Sequence, residues 1–392
     1  MNNVRALVLT EFGGPSAVKV SSVAAPTAGA GQVLVRVHAA GVNGLDWKVR
    51  EGYVRDAYPL QLPTVLGIEL AGVVEAVGPG VIGLRKGDRV MGPLGGMGAY
   101  ADLVAVNAAY LCLVPDSLDF VAAAALPVAS VAAWQSLNLA GPIHAGQRIL
   151  IQGASGGLGG FAVQFAHQGG AVVFATALSQ HADYVRSLGA DHVIAYDIEQ
   201  FEATASDVDL VLDYVGGQVL NRSWSVLADD GVIVSTASPA ILASTPAGRR
   251  GLWFVNTPQA ARLQAIADDF SSFASLARQF ERSGLRLDPL SGASVLVSAP
   301  HLSMSRAAQP AGGEGVPWPD RGCRMTGPPE SADPKRFATR QAHAALAGIS
   351  LHRIERDFLP VVYIATKWAL TRELRGLDAV ERWLDRVMGS PV

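Results

Sequence analysis

A glycine-dense segment between two apolar runs restricts the fold of this chain more than any other feature. Residues 148–152 form an apolar, strand-like run, five of the eight residues 153–160 are glycine, and residues 161–166 are helix-like. Glycines at such a turn let the backbone approach a pyrophosphate, and the helix N-terminus offers unpaired N–H groups and a partial positive charge. The segment therefore predicts a dinucleotide site, although strand–helix packing alone can also require such a turn.

Strand-like and helix-like runs alternate beyond this turn. The strand-like runs are 171–177, 192–196, 208–215 and 231–237, and the helix-like runs are 158–168 and 181–188. Apolar strands separated by helices are typical of a parallel sheet that is covered on both faces. We therefore predict an α/β fold with a doubly wound parallel sheet over residues 126–285.

The sequence on either side of this region has a different character. Residues 1–125 contain short β-like runs at 32–38, 71–77, 88–91 and 99–106, separated by Gly and Pro turns, and predict a mostly antiparallel β domain. Residues 286–335 are rich in Pro and Gly and predict a disordered linker. Residues 336–392 predict a small α/β extension of unknown role. Its predicted helices are 336–347 and 378–387, and its predicted strands are 349–354 and 361–365.

Composition and charge exclude several classes of partner. The chain has 31 Lys and Arg against 34 Asp and Glu, and its like charges form no block, so neither nucleic acid nor a membrane surface is an expected partner. The most apolar run, 121–134, is too short to cross a bilayer. Residues 1–12 alternate like a strand rather than a signal peptide, which favours the cytoplasm. Cys112 and Cys323 are far apart and indicate no disulfide framework.

The end of the second predicted strand bears on the choice of cofactor. NAD-binding sheets usually carry an acidic residue there that holds the ribose hydroxyls, and residues 174–179 contain none. Absence of this carboxylate removes repulsion toward a 2′-phosphate, so the sequence favours NADPH. The available phosphate contacts are Thr176, Ser179, His181, Arg186 and Tyr196.

Seven motifs in one order carry a family resemblance. They are residues 41–48 (GVNGLDWK), 66–78 (LGIELAGVVEAVG), 87–90 (GDRV), 126–134 (LPVASVAAW), 153–157 (GASGG), 188–196 (LGADHVIAY) and 209–217 (DLVLDYVGG). Together they resemble the quinone oxidoreductase-like medium-chain dehydrogenases/reductases, the family that includes zeta-crystallin. The resemblance implies a GroES-like catalytic domain over residues 1–125, a Rossmann NADP-binding domain over 126–285, an active site in the cleft between them, and a homodimer.

The resemblance also implies four catalytic residues in the first domain. Asn43 would donate its amide N–H to the substrate oxygen, and Lys48 would stabilise an enolate or supply a proton through water. Asp46 would line the cleft, and Tyr53 is a candidate proton donor. Structural alternatives exist for three of them: Asp46 could cap the turn it begins, Lys48 could be a solvated surface lysine, and Tyr53 could serve packing.

The implied cofactor contacts lie in the glycine turn and at the ends of the strands around it. They are Gly153, Ala154, Ser155, Gly156, Gly157, Leu158, Gly159, Thr176, Ser179, Tyr196, Asp213, Val215, Ser235, Thr236 and Ala237. The resemblance directs Tyr196 to the adenosine phosphate, Asp213 and Val215 to the ribose and nicotinamide, and the backbone of 235–237 to the carboxamide. Asp213 could instead be a turn aspartate.

Zinc-dependent relatives carry a Cys at the position of Asn43 and a His at that of Ile68. An aliphatic side chain cannot bind a metal, and two distant cysteines cannot supply the four clustered thiolates of a structural zinc site, so we expect no zinc. Without a metal, the expected reaction is hydride transfer from NADPH to a quinone or an α,β-unsaturated carbonyl.

The C-terminal part departs from the family. The resemblance fades between about residues 268 and 288, and the family's final segment, which returns to the catalytic domain, is not recognisable. A frameshift or gene fusion would explain the replacement; the same reading frame in close relatives would contradict it. Two alternatives to a quinone or enone reductase therefore stay open: an NADPH-binding protein with little turnover, and an enoyl reductase of carrier-bound acyl chains.

Overall fold

The computed structural model describes residues 3–56 and 58–269 and four later strands, Val295–Ser298, Ile349–Ile354, Val362–Lys367 and Leu370–Arg375. The chain forms two compact units, Met1–Ser303 and Met304–Val392. The strands of the first unit are β1 (Asn3–Leu9), β2 (Val18–Ala24), β3 (Gln32–Val42), β4 (Thr64–Val65), β5 (Glu69–Val77), β6 (Arg89–Pro93), β7 (Leu103–Asn107), β8 (Cys112–Leu113), β9 (Arg148–Gln152), β10 (Val172–Ala177), β11 (His192–Ala195), β12 (Val208–Asp213), β13 (Leu227–Ser235), β14 (Arg250–Trp253) and β15 (Val295–Ser298). Its α-helices are α1 (Gly44–Glu51), α2 (Phe120–Ala124), α3 (Ala129–Asn138), α4 (Gly157–Gln168), α5 (Ala182–Ser187), α6 (Gly217–Ser223), α7 (Ile241–Ser244) and α8 (Ala260–Asp268).

The N-terminal part is β-rich, as predicted. Strand β3 lies at its centre and pairs antiparallel with β5 along one edge and with β7 along the other. Val33, Val35 and Val37 alternate with more exposed neighbours along β3 and are buried in one hydrophobic core. This period of two buries one face of the sheet. The other face of the same sheet receives α2, whose Ala123 and Ala124 are fully buried.

A strand lies where the sequence predicted a linker. β15 pairs parallel with β3 from Ala39 to Val42, beyond the part of β3 that β7 covers. The chain therefore does place a strand from beyond α8 in the sheet around β3, called here the catalytic sheet because it lies in the domain expected to be catalytic. No such returning segment was recognisable in the sequence. Its core, Val295-Leu-Val, is only three aliphatic residues in Ser- and Gly-rich surroundings, too short a run to stand out by periodicity.

The second half of the first unit is a six-stranded parallel sheet in the order β11-β10-β9-β12-β13-β14. Numbered along the chain, this is the 3-2-1-4-5-6 order of dinucleotide-binding sheets, whose direction of winding reverses next to the first strand. Both faces of the sheet are covered, as alternate residues of β9 show. Ile149 and Ile151 are buried in one hydrophobic core with α3 and α4, and Leu150 is buried in a second core. The predicted α/β fold class is confirmed, and the strand and helix boundaries agree within a few residues.

The glycine turn joins β9 to α4 at this reversal point. Gly153 has φ +80°, a conformation that side chains with a Cβ rarely adopt. Gly159 lies so close to the turn that a Cβ there would be 2.3 Å from the carbonyl oxygen of Gly153 and 2.7 Å from Cα of Ala154. Both glycines are therefore required by the turn itself, in addition to any role toward a ligand.

The second unit is described by one antiparallel sheet in the order β16 (Ile349–Ile354), β17 (Val362–Lys367) and β18 (Leu370–Arg375). The first two strands agree with predicted runs, and the third was not predicted. The helices predicted at 336–347 and 378–387 lie outside the described residues. Among the helices that the structure describes, none combines the length and apolar character needed to cross a membrane.

We expect Gly159→Ala to destabilise the protein, because the new methyl group would overlap the backbone of the turn rather than a movable side chain. The expected loss is about 1–3 kcal/mol, typical of overpacking, and it exceeds the gain of about 1 kcal/mol in helix propensity. Gly96→Ala is the matched control, since its Cβ would meet no atom within 4 Å. Urea unfolding measures both; equal stability of the two variants would contradict the packing of this turn.

Candidate active site

Four polar side chains are buried together where β3 ends and α1 begins. They belong to Asn43, Asp46, Glu69 and Tyr100, and each is at most 9 % exposed. Asn43 and Asp46 were predicted as site residues, and Glu69 and Tyr100 were not. Glu69 did leave a signal, because it is an acid directly before the uncharged run 70–74. Tyr100 reaches the cluster from 54 residues beyond Asp46 and left none.

Asp46 caps helix α1, the structural alternative considered for it. Its Oδ2 accepts the backbone N–H of Asn43 at 2.7 Å and the hydroxyl of Tyr100 at 2.8 Å. Burial raises the pKa of Asp46 to about 6, and the two hydrogen bonds act against this shift. Asp46 therefore fixes the start of α1, and with it the backbone that carries the Asn43 side chain.

Glu69 connects the two halves of the first unit. Its Oε1 accepts the side-chain amide N–H of Asn43 at 2.6 Å, and its Oε2 accepts the backbone N–H of Val128 at 2.7 Å, just before α3. A Cβ at Gly41 would lie 2.2 Å from Oε1, so only glycine leaves room for this carboxyl group. Burial raises the pKa of Glu69 to about 8, opposed by the same two hydrogen bonds.

Lys48 and Tyr53 do not join the buried cluster. Lys48 is exposed on α1, and Tyr53 is 63 % exposed just after this helix. The Tyr53 ring meets Trp47 edge-on, with ring centres 5.7 Å apart. Both residues retain access to solvent, which is what a proton donor acting through water requires and is also what a surface residue shows.

The glycine turn is held by a buried polar pair. The hydroxyl of Thr176 accepts the N–H of Gly153 at 3.1 Å and donates to Oε1 of Gln152 at 2.8 Å. Thr176 is 3 % exposed, so its side chain supports the turn from the interior of the protein. Ala154 and Ser155 complete the turn, and Gly156 is the N-cap of α4. The first N–H groups of α4 begin at Gly157 and Leu158, where a helix N-terminus favours a phosphate.

Asp213 is fully buried at the end of β12, and all its observed hydrogen bonds are internal. Oδ1 accepts the N–H groups of Val215 and Gly216, and Oδ2 accepts the hydroxyl of Ser235 at 2.7 Å. This is the turn-aspartate alternative. The turn that Asp213 holds places Val215 beside Gly153. A Cβ added at Gly153 would lie 3.1 Å from the Val215 side chain. The backbone N–H groups of Thr236 and Ala237 bond to Asp213 and Ser235.

An acid that sequence reasoning missed lies beside Ser179. Asp197 accepts the backbone N–H of Ser179 at 2.8 Å and its hydroxyl at 2.7 Å. Tyr196 precedes this acid and is 52 % exposed. The parallel pairing of β10 with β11 brings the ends of the two strands together, so a carboxylate does stand near the end of the second strand.

Comparison with known proteins agrees with this geometry. Residues 29–116 match the family described as alcohol dehydrogenase GroES-like domain, and residues 157–256 match zinc-binding dehydrogenase. The chain is 35 % identical over 276 residues to 2-methylene-furan-3-one reductase from Solanum lycopersicum, covering 68 % of each protein. It is 35 % identical over 259 residues to NADPH-dependent alkenal/one oxidoreductase from Arabidopsis thaliana, covering 63 % of this chain and 65 % of the relative.

A solved structure is similar over the same region. The quinone oxidoreductase from Coxiella burnetii superposes with a TM-score of 0.67 at 29 % identity, covering 76 % of this chain and 99 % of that protein. The fold and these relatives define an oxidoreductase of the medium-chain dehydrogenase/reductase type. Within that class, the chain belongs to the quinone oxidoreductase-like family.

The second family description names zinc, and the residues present do not fit a catalytic zinc ion. The side-chain nitrogen of Asn43 is a hydrogen-bond donor to Glu69, so it offers no lone pair to a metal. Ile68, next to Glu69, is aliphatic and cannot act as a ligand.

Because the pKa values of Glu69 and Asp46 are raised, stability should fall as pH rises. The folded protein holds these protons more tightly than the unfolded chain, whose pKa values are 4.5 and 3.8. The contribution of Glu69 to the free energy of unfolding declines between about pH 4.5 and 8, at up to about 1.4 kcal/mol per pH unit, and then levels off. Asp46 adds a decline between about pH 4 and 6.

Urea unfolding of wild type and Glu69→Gln across pH 4.5–8.5 checks this expectation. In the variant, the free energy of unfolding should no longer show the part of its decline that extends to pH 8. Glu75→Gln is the matched control, because Glu75 lies on the same strand but is partly exposed and binds Arg36. Identical slopes in wild type and Glu69→Gln would show that Glu69 keeps an ordinary pKa.

Proposed function

We propose that the protein is an NADPH-dependent, zinc-independent reductase of quinones or α,β-unsaturated carbonyl compounds. The hydrogen-bonded chain from Asn43 through Glu69 to the N–H of Val128 is the single observation that carries this proposal. It connects a buried amide of the catalytic sheet to the start of α3, and α3 packs against α4, the helix of the glycine turn. The relative named NADPH-dependent alkenal/one oxidoreductase supports the same cofactor and substrate class.

The residues at the glycine turn fit a dinucleotide. Gly153 and Gly156 carry no side chain that would keep a ligand from the turn, and the N-terminus of α4 would supply N–H groups for a pyrophosphate. Bound NADPH supplies a hydride from C4 of its nicotinamide. Val215 and the backbone of 235–237, at the ends of β12 and β13, would form the adjoining wall and exclude water from the reacting atoms.

Asn43 would stabilise the charge that develops on the substrate. When a hydride adds to the β-carbon of an enone, the electron pair of the double bond moves to the carbonyl oxygen as an enolate. One N–H of the Asn43 amide is bound to Glu69, which fixes the plane of the amide and leaves its second N–H for that oxygen. Because this donor is held before the reaction starts, it needs no reorganisation as the charge forms.

The enolate must then take a proton at the α-carbon. Lys48 lies on α1, the helix that begins directly after Asn43, and Tyr53 follows this helix. Both are exposed, so we propose that either delivers the proton through water. For a quinone, the hydride would supply both electrons and one hydrogen, and the same donors would supply the single proton that completes the hydroquinone. A homodimer is also proposed, on family resemblance alone.

The alternative of a cofactor-binding protein with little turnover rested on the apparent loss of the family's returning segment. The pairing of β15 with β3 weakens that ground, because the edge of the catalytic sheet beside Ala39–Val42 is covered. Reduction of carrier-bound acyl chains stays within the same chemistry, since an enoyl thioester is also an α,β-unsaturated carbonyl compound.

A substrate panel tests the proposal. We expect the full chain to oxidise NADPH when a quinone, an alkenal, an enone or an enoyl thioester is added, with no loss of rate after treatment with a metal chelator. Absorbance at the NADPH band measures the rate. Nucleotide binding without turnover on any acceptor would instead support the low-turnover alternative, and chelator-sensitive activity would contradict zinc independence.

We expect Asn43→Ala to lower kcat by about 10²–10³-fold, the usual effect of removing one donor to a developing oxyanion. Its dissociation constant for NADPH should change little, which separates a catalytic effect from a folding defect. Asn107→Ala is the matched control, because the Asn107 side chain only caps a surface turn at Ala109. A kcat for Asn43→Ala within twofold of the control would exclude the proposed role of Asn43.

A further inference from the structure

The pair formed by Ser179 and Asp197 lies at the position that decides between NADH and NADPH. Ser179 follows β10, the second strand of the parallel sheet, and Asp197 follows β11 beside it. In doubly wound dinucleotide-binding sheets the end of the second strand holds the ribose of the adenosine. A carboxylate there favours the free 2′-hydroxyl of NADH, whereas donors and cations favour the 2′-phosphate of NADPH.

Both donors of Ser179 are already used. Its backbone N–H and its hydroxyl each donate to one oxygen of Asp197, at 2.8 and 2.7 Å. A 2′-phosphate could gain these donors only by displacing the carboxylate, and its own negative charge would meet that of Asp197. The hydrogen bond from the Ser179 hydroxyl holds the pKa of Asp197 below its usual range, so the carboxylate is ionised at neutral pH.

The other predicted phosphate contacts provide little positive charge. The Arg186 guanidinium pairs with Asp183 at 2.6 Å. Burial lowers the pKa of His181, which leaves its ring neutral at pH 7. Thr176 is buried and bonded to Gln152. Tyr196 is the remaining contact, and burial together with the nearby charge of Asp197 raises its pKa, so its phenol stays a neutral donor.

We propose that Asp197 is a specificity-determining residue that weakens binding of the 2′-phosphate through its charge and its hold on Ser179, so that the protein accepts NADH alongside NADPH. This inference rests on the proposed function, because it concerns the adenosine end of the same dinucleotide site. It also revises the expectation that no acid opposes NADPH. The acid is present, but it is contributed by the end of β11 instead of β10.

Dissociation constants of NADPH and NADH for the full chain, measured by quenching of protein fluorescence at low and high salt, test the inference. For wild type we expect the two constants to lie within about tenfold of each other. Asp197→Asn should strengthen NADPH binding by about threefold to tenfold and leave NADH binding unchanged, and Asp197→Lys should strengthen NADPH binding further. The gain should shrink at high salt, since the group is exposed and its charge is screened.

Asp229→Asn is the matched control. It removes the same charge from an exposed aspartate of the same sheet, near the amino end of β13 and away from the ligand-binding edge. The inference is overturned if Asp197→Asn changes both nucleotides equally, changes neither, or acts no differently from Asp229→Asn. Failure of the wild type to bind either nucleotide would overturn the proposed function as well, which is a distinguishable result.

Discussion

The buried carboxyl group of Glu69 is the interaction on which the rest of the site depends. A carboxyl group at 2 % exposure is costly to bury unless its oxygens are hydrogen-bonded, and here each oxygen accepts one N–H. One N–H comes from a side chain at the end of β3 and the other from the backbone before α3. The same contact therefore orients Asn43 and fixes the catalytic sheet against the helices that carry the glycine turn.

Most of the fold could be predicted from the sequence because its signals are local. The β9 run was predicted to the residue, and the parallel strands after it followed from apolar runs separated by helices. The β15 strand could not be predicted, because its three-residue apolar core is shorter than any periodicity can resolve and its partner β3 lies more than 250 residues earlier. The third strand of the second unit, β18, has only two apolar residues, Leu370 and Leu374, among polar and charged ones, so no alternation distinguishes it from a loop.

The site was predictable only in part, since residue types are visible in a sequence and their pairings are not. Asn43 and Asp46 were found from the family motif, but their partners Glu69 and Tyr100 reach them through the sheet. The acid at the cofactor site was not predictable for a similar reason. Residues 174–179, at the end of β10, contain no acid, whereas parallel pairing brings in Asp197 from the end of β11. Asp213, assigned to the cofactor by resemblance, is bonded to its own turn and to Ser235 at the end of β13.

The fate of the transferred hydrogen tests the central claim most directly. An enone would be reduced by the full chain with a cofactor that carries deuterium at the transferable C4 position, and the product would be analysed by NMR. The account predicts one deuterium on the β-carbon, a solvent proton on the α-carbon and an intact carbonyl group, with the same outcome after metal ions are removed. Deuterium on the carbonyl carbon of an alcohol product, or a reaction that stops when metal ions are removed, would contradict it.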